Sequence, residues 1–253
     1  MIMVKRPVAA LALAAVASAP AALALPAQAS AAPAASASPA AAASAKPAAA
    51  RVDCAKVKCI ALTFDDGPGP YTARLLDTLK KHKAKATFFL VGKRVEERRK
   101  LARRIAREGH EIGNHSYSHQ SLPALPDFEL TEELSRTQDV LRRAIGRRPR
   151  LMRPPYGHTD ARVRAAAGRL GLAQVLWTGT TLDWSLRDTR RIGDTVLRLA
   201  RPNGVILMHD VVPQTVKAIP RVLRELRKRG YHLVTVSALA GPGRLAPGAS
   251  FPR

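Results

Sequence analysis

Residues 59–68 read Cys-Ile-Ala-Leu-Thr-Phe-Asp-Asp-Gly-Pro. Ile60 to Phe64 form a short apolar run of the kind that makes a buried strand, and Gly67-Pro68 turns the chain out of it. Asp65 and Asp66 therefore sit where strand becomes turn. Adjacent carboxylates repel and stay ionised together only where a cation or hydrogen bonds offset the repulsion. A bound metal, with one carboxylate as ligand and the other as base, is one use of such a pair; a solvated Asp-Asp-Gly turn is the plain alternative.

Working outward, short apolar runs alternate with stretches of helical period, the pattern of an α/β domain. The expected strands are 60–64, 86–91, 111–113, 151–153, 174–177, 205–208 and 232–236. Helices are expected near 71–82, 95–108, 131–145, 160–170, 188–200 and 215–229. Such units wind into an open sheet or close into a barrel, and the alternation does not choose between them. Polar residues gather just after strand ends, at Asp65, His115, Arg153, Asp183 and His209. In a barrel those ends share one face, so residues remote in sequence would line a single pocket.

His115-Ser116-Tyr117-Ser118-His119 places two imidazoles four positions apart. On one helical turn they would face the same way and chelate one ion. With Asp66 they make three ligands, leaving coordination open for water or substrate, as a catalytic rather than a structural metal site requires.

Read in order, Thr63 to Pro68, His115 to His119, Arg153-Pro154-Pro155-Tyr156-Gly157, Asp183-Trp184-Ser185 and Leu207-Met208-His209-Asp210 resemble the five motifs of the polysaccharide deacetylase family. This family is also called the NodB homology domain or carbohydrate esterase family 4. The resemblance runs from about Cys59 to Leu239 and implies a distorted (β/α) barrel and metal-dependent deacetylation. It implies that Asp66, His115 and His119 hold the metal, zinc most often, with cobalt, nickel or manganese able to serve. Asp65 would be the general base toward the attacking water, and Arg153 would pair with it. The backbone N–H of Tyr156 would help stabilise the oxyanion, and His209 would be the general acid, oriented by Asp183. Trp184, Leu207 and Pro155 would contact substrate, with core packing the alternative for Trp184 and Leu207 and a rigid strand exit for Pro155. One departure stands out: Trp177-Thr178-Gly179-Thr180-Thr181 lacks the acidic residue that family members often carry before the fourth motif. Tyr71 and Tyr117, beside motif residues, are candidates to stack on a sugar ring.

The flanks suggest export. Lys5 and Arg6 precede an uncharged apolar run, Val8 to Leu25, followed by the small-x-small site Ala27-Gln28-Ala29. This is the layout of a signal peptide cleaved after Ala29, an uncleaved anchor being the alternative. Residues 30–50 are an Ala/Pro/Ser-rich linker, 51–240 the catalytic domain, and 241–253 a Gly/Pro-rich tail expected to be flexible. Cys54 and Cys59 would form a small disulfide loop in an oxidising compartment. Lys and Arg total 42 against 19 acidic residues, a formal charge of +23. That balance suits anionic cell-wall polymers or is a solvated basic surface; nucleic acid is not expected, because the basic segments lack interleaved aromatics. A monomer is the simplest assembly. The function expected is removal of N-acetyl groups from peptidoglycan or a chitin-like polymer. An O-acetyl esterase acting on xylan and a non-catalytic wall-binding module are the alternatives.

Overall fold

A computed structural model describes residues 52–252, so the expected signal peptide and linker lie outside the described residues. The chain runs β1 (Cys59–Asp65), α1 (Thr72–Lys81), β2 (Thr87–Leu90), α2 (Gly92–Glu97), α3 (Arg99–Arg107), β3 (Glu111–Asn114) and α4 (Asp127–Ile145). It continues through β4 (Leu151–Met152), α5 (Ala161–Arg169), β5 (Ala173–Val175), β6 (Gly179–Thr180), α6 (Asp183–Leu186) and α7 (Thr189–Leu199). The last elements are β7 (Gly204–His209), α8 (Pro213–Lys228), β8 (His232–Leu233), α9 (Val236–Ala240) and β9 (Ser250–Phe251). Every strand pairing is parallel, in the order β6-β7-β1-β2-β3-β4-β5-β9, with β8 also beside β1. Among the described residues no ladder joins β6 to β9. The architecture is the expected distorted (β/α) barrel, a curled sheet left open at that seam.

Side-chain alternation along β1 separates scaffold from chemistry. Ile60, Leu62 and Phe64 point outward and pack with Phe88, Leu90, Ile206 and Met208 against Leu75, Leu76 and Leu79 of α1 and Ile219, Val222 and Leu223 of α8. Each such burial contributes about 1.5–3 kcal/mol. Cys59 and Ala61 point inward and join Phe89, Leu151, Ala173, Val175 and Val205 in the barrel interior. Gly113 on β3 makes room there, since a side chain at that position would collide with the Phe89 ring. The next inward positions of β1 are Thr63 and Asp65, so the strand that fills the core also delivers the polar residues to its C-terminal end.

The structure corrects several expectations. The helix expected over 95–108 is two helices, because Arg98 at φ −125° breaks the helical path. The strand expected over 232–236 stops at Leu233, and Thr235 caps α9 by accepting the Ala238 N–H. The short elements β6 and α6 were not anticipated. The tail carries structure of its own: Gly241, Gly243 and Gly248 take positive φ, and β9 pairs with β5. Phe251 is buried there and Gln174 Nε2 donates to Ser250 Oγ. Cys54 and Cys59 are bonded, tying the preceding segment to the start of β1. No helix among the described residues is long and apolar enough to cross a membrane.

Candidate active site

At the C-terminal ends of the strands, parallel register sets Asp65 of β1 directly beside His209 of β7. Arg153, just past β4, is fully buried in the barrel beneath them. Its Nη1 donates to Asp65 Oδ1 at 2.8 Å and to Thr63 Oγ1 at 2.7 Å. Nε donates to the Val175 carbonyl at 3.1 Å and Nη2 to the Leu176 carbonyl at 2.8 Å. The guanidinium lies 4.2 Å over the Phe89 ring. Burial lowers its pKa and Asp65 pushes the other way, but an arginine starts so high that it stays charged. The fixed fork presents the carboxylate of Asp65 in one orientation, with Oδ2 free to face the cleft.

Asp66 follows at φ +70°, a left-handed turn that swings its carboxylate toward the loop after β3. Asp66, His115 and His119 place three ligand atoms within 4.8 Å of one another. The His pair does not lie on a helical turn, as the spacing suggested. It spans a loop in which Ser116 and His119 both take positive φ. Asn114 Oδ1 accepts the Ser116 N–H and Ser116 Oγ accepts the His119 N–H, so short polar side chains replace the helical bonds.

These three residues fit a divalent cation. His115 Nδ1 donates to the Arg153 carbonyl at 2.7 Å, which leaves the lone pair on Nε2. That Nε2 is 3.4 Å from Asp66 Oδ1, and His119 Nε2 is 3.0 Å from the same oxygen. Asp66 Oδ1 is nevertheless buried without an aligned hydrogen bond. Burial would raise the Asp66 carboxyl; the two imidazoles, as cations, reverse this and hold it well below the usual range. A bound divalent ion would do the same with both rings neutral, and two nitrogens with one carboxylate oxygen are a zinc-type donor set.

On the other side of the cleft, His209 Nδ1 donates to Asp183 Oδ1 at 2.7 Å. Asp183 Oδ2 takes the His209 N–H at 2.8 Å and the Thr215 hydroxyl at 2.6 Å. Burial works to lower the His209 pKa. The hydrogen bond and charge of Asp183, with the charges of Asp65 and Asp66, outweigh it and push the pKa up to about 9. Asp210, fully buried beside it, is pushed up to about 7, chiefly by burial. Its Oδ2 accepts the Thr72 hydroxyl, and its carboxylate lies where a side chain at position 67 would be, so only glycine fits the turn above it.

Pro155 is buried, while Tyr156 is exposed at φ +60° with its ring 4.8 Å from that of His119. Among the described residues the Tyr156 N–H has no backbone acceptor outside regular helices and strands. Leu207 faces inward beside Thr63 and is buried, whereas Trp184 is 57% exposed, which removes core packing as its explanation. Leu182, exposed next to it, escaped the sequence reading. Tyr117 is buried under the Arg136 guanidinium and is a packing residue, so it cannot stack on a sugar; Tyr71 remains exposed. Thr63, Thr215, Glu133 and Arg94, whose Nη1 donates to the Asp66 carbonyl, were also missed.

A parallel half-barrel whose strand ends bring a potential cation cradle between a carboxylate and a histidine has the arrangement that metal-assisted acid–base hydrolysis would use. Residues 53–175 match the polysaccharide deacetylase family model. The chain is 40% identical over 183 residues to the peptidoglycan-N-acetylmuramic acid deacetylase of Bacillus subtilis, covering 72% of this chain and 38% of that one. It is 41% identical over 184 residues to a peptidoglycan-N-acetylglucosamine deacetylase of Bacillus cereus, covering 69% of this chain and 67% of the relative. The solved structure of a T48 deacetylase with substrate superposes at a TM-score of 0.76 and 40% identity, over 79% of this chain and 99% of that one. The chain belongs to the polysaccharide deacetylase family. It spans well under half the length of the B. subtilis relative.

Proposed function

We propose that this protein is an exported, zinc-dependent deacetylase that hydrolyses the N-acetyl groups of peptidoglycan. The observation that carries the reading is the pairing of Asp65 with His209 on neighbouring inward positions, with the Asp66–His115–His119 cradle beside them. When bound, a divalent cation supplies Lewis-acid chemistry, lowering the pKa of a water and taking up developing negative charge. Asp65, oriented by Arg153, accepts a proton from the attacking water. The Tyr156 N–H faces the oxygen on which charge develops. His209 gives the proton on Nε2 to the departing nitrogen as the C–N bond breaks, because an amide anion is too basic to leave unprotonated. The products are acetate and a free amino sugar. Trp184 and Leu182, both exposed, would contact the sugar, and Leu207 would meet the acetyl methyl. The bonded Cys54–Cys59 pair supports export to an oxidising compartment. The basic surface suits an anionic wall, and the peptidoglycan substrates in the relatives' names favour that polymer over chitin.

The test is acetate release from peptidoglycan, chitin oligomers and acetylated xylan by metal-stripped protein, before and after adding zinc, cobalt, nickel or manganese. Metal-restored release from peptidoglycan is expected. Release from xylan alone would establish the esterase instead, and binding to peptidoglycan without release from any polymer would leave a wall-binding module.

His209 must be protonated to act as acid, and its raised pKa keeps it so through neutral pH. About 9 is the value for the cation-free protein, so activity is expected to fall on an alkaline limb lying below it. A bound cation offsets the contributions of Asp65 and Asp66 and leaves that of Asp183. Asp183→Asn is expected to move the alkaline limb of the pH–kcat profile down toward 6.5 or below. An unmoved limb would show that another group is the acid.

A further inference from the structure

The segment from His115 to His119 holds two ligands yet has neither helix nor strand to shape it, and two of its five residues sit at positive φ. Such backbone persists only where its surroundings over-determine it. Two neighbours grip this loop. At the start of α2, the Gly92 N–H donates to the Ser116 carbonyl and the Lys93 N–H to the Tyr117 carbonyl, each at 3.0 Å. From α4, the carboxylate of Glu133 reaches the opposite edge. Its Oε2 accepts the Tyr117 N–H at 2.9 Å and the Ser118 N–H at 2.8 Å, and Oε1 accepts the Ser118 hydroxyl at 2.6 Å.

We propose that Glu133 is a positioning residue for cation binding: its buried carboxylate holds the His115–His119 loop in the shape that lets both imidazoles meet Asp66. Glu133 is only 9% exposed, and among the described residues no Lys or Arg pairs with it. A carboxylate so placed is tolerable only if hydrogen-bonded, and all three of its side-chain-to-loop bonds come from residues between the two ligands. Carboxylate and loop therefore stabilise each other in one geometry. Close packing leaves little alternative: a side chain added at Gly92 would lie 2.6 Å from the Tyr117 ring and 2.9 Å from Thr137 Oγ1. Glu133 touches no reacting atom, and its effect passes through His115 and His119. The inference rests on the reading of those histidines and Asp66 as cation ligands.

Zinc titration by calorimetry of the metal-stripped protein tests it, with Asp66→Ala as the reference and thermal unfolding of the zinc-free forms alongside. Glu133→Ala is expected to weaken zinc binding about tenfold to a hundredfold, the usual cost of losing a residue that orients ligands. Glu133→Gln keeps a carbonyl oxygen for the two N–H groups and is expected to bind close to wild type. A Glu133→Ala protein that melts earlier but binds zinc as wild type does would overturn the proposal, since a purely structural residue behaves that way. If Glu133→Ala does not fold, Glu133→Asp, with its carboxylate withdrawn by one methylene, gives the reading: affinity equal to wild type overturns the proposal and weaker binding supports it. Wild-type protein that binds no zinc, or Asp66→Ala protein that binds it equally well, would remove the cation reading and this inference with it.

Discussion

Asp66→Ala protein, metal-stripped and then offered zinc, is expected to retain none and to release acetate from peptidoglycan at no more than about a thousandth of the wild-type rate. The substitution removes the only carboxylate of the cradle and leaves two neutral imidazoles, too few donors to hold a divalent ion against water. Without the ion, water would keep its ordinary, very high pKa instead of one of about 7, and one side of the developing oxyanion would go unmet. The fold should survive, because the change deletes a carboxylate that lacks an aligned hydrogen bond and orphans no buried cation. Zinc content, circular dichroism and acetate release on one preparation make the check. A folded, zinc-free variant that still works at a tenth of the wild-type rate would mean that the cation is not central to the chemistry.

Arg153→Met should cost both stability and activity. Methionine approximates the volume, but the change leaves Asp65 buried without its cation and the Thr63, Val175 and Leu176 oxygens without a donor. Breaking a buried pair in this way typically costs about 3–5 kcal/mol. Adding Asp65→Asn to Arg153→Met removes the unpaired charge and should restore part of the stability while leaving activity absent. Denaturant unfolding of the two single variants and the double variant gives the coupling directly. Additive losses would mean that the two side chains do not depend on each other, contrary to their 2.8 Å contact.

The long central strands were legible because full burial writes itself as an apolar run; β1, β2 and β7 all announced themselves this way. The two-residue strands β6 and β9 fell outside any apolar run, and β9 hid in a Gly/Pro-rich tail whose one aromatic, Phe251, was the missed signal. The candidate site residues were legible because their types cluster at strand ends and follow a known order of motifs. Their supports were not. Thr63 meets Arg153 across 90 positions and Thr215 meets Asp183 across 32, distances over which a lone threonine advertises nothing. The His115–His119 loop was read as a helical turn because a spacing of four suits both. Asn114 and Ser116, which favour side-chain-to-backbone bonds over helix, were the local sign that the loop would win.

The return strand β9 has a consequence in time. β5 gains its outer partner only through residues 76 positions further along, as the Gln174–Ser250 contact marks. While the chain is being made, every candidate site residue up to His209 exists before the sheet beside β5 can be finished. During that interval β5 is an exposed edge, the kind of surface on which nascent chains pair with one another. Residues 250–251 are thus a seam that synthesis closes late, and a chain released short of Phe251 would carry the whole candidate site on a sheet with an open side.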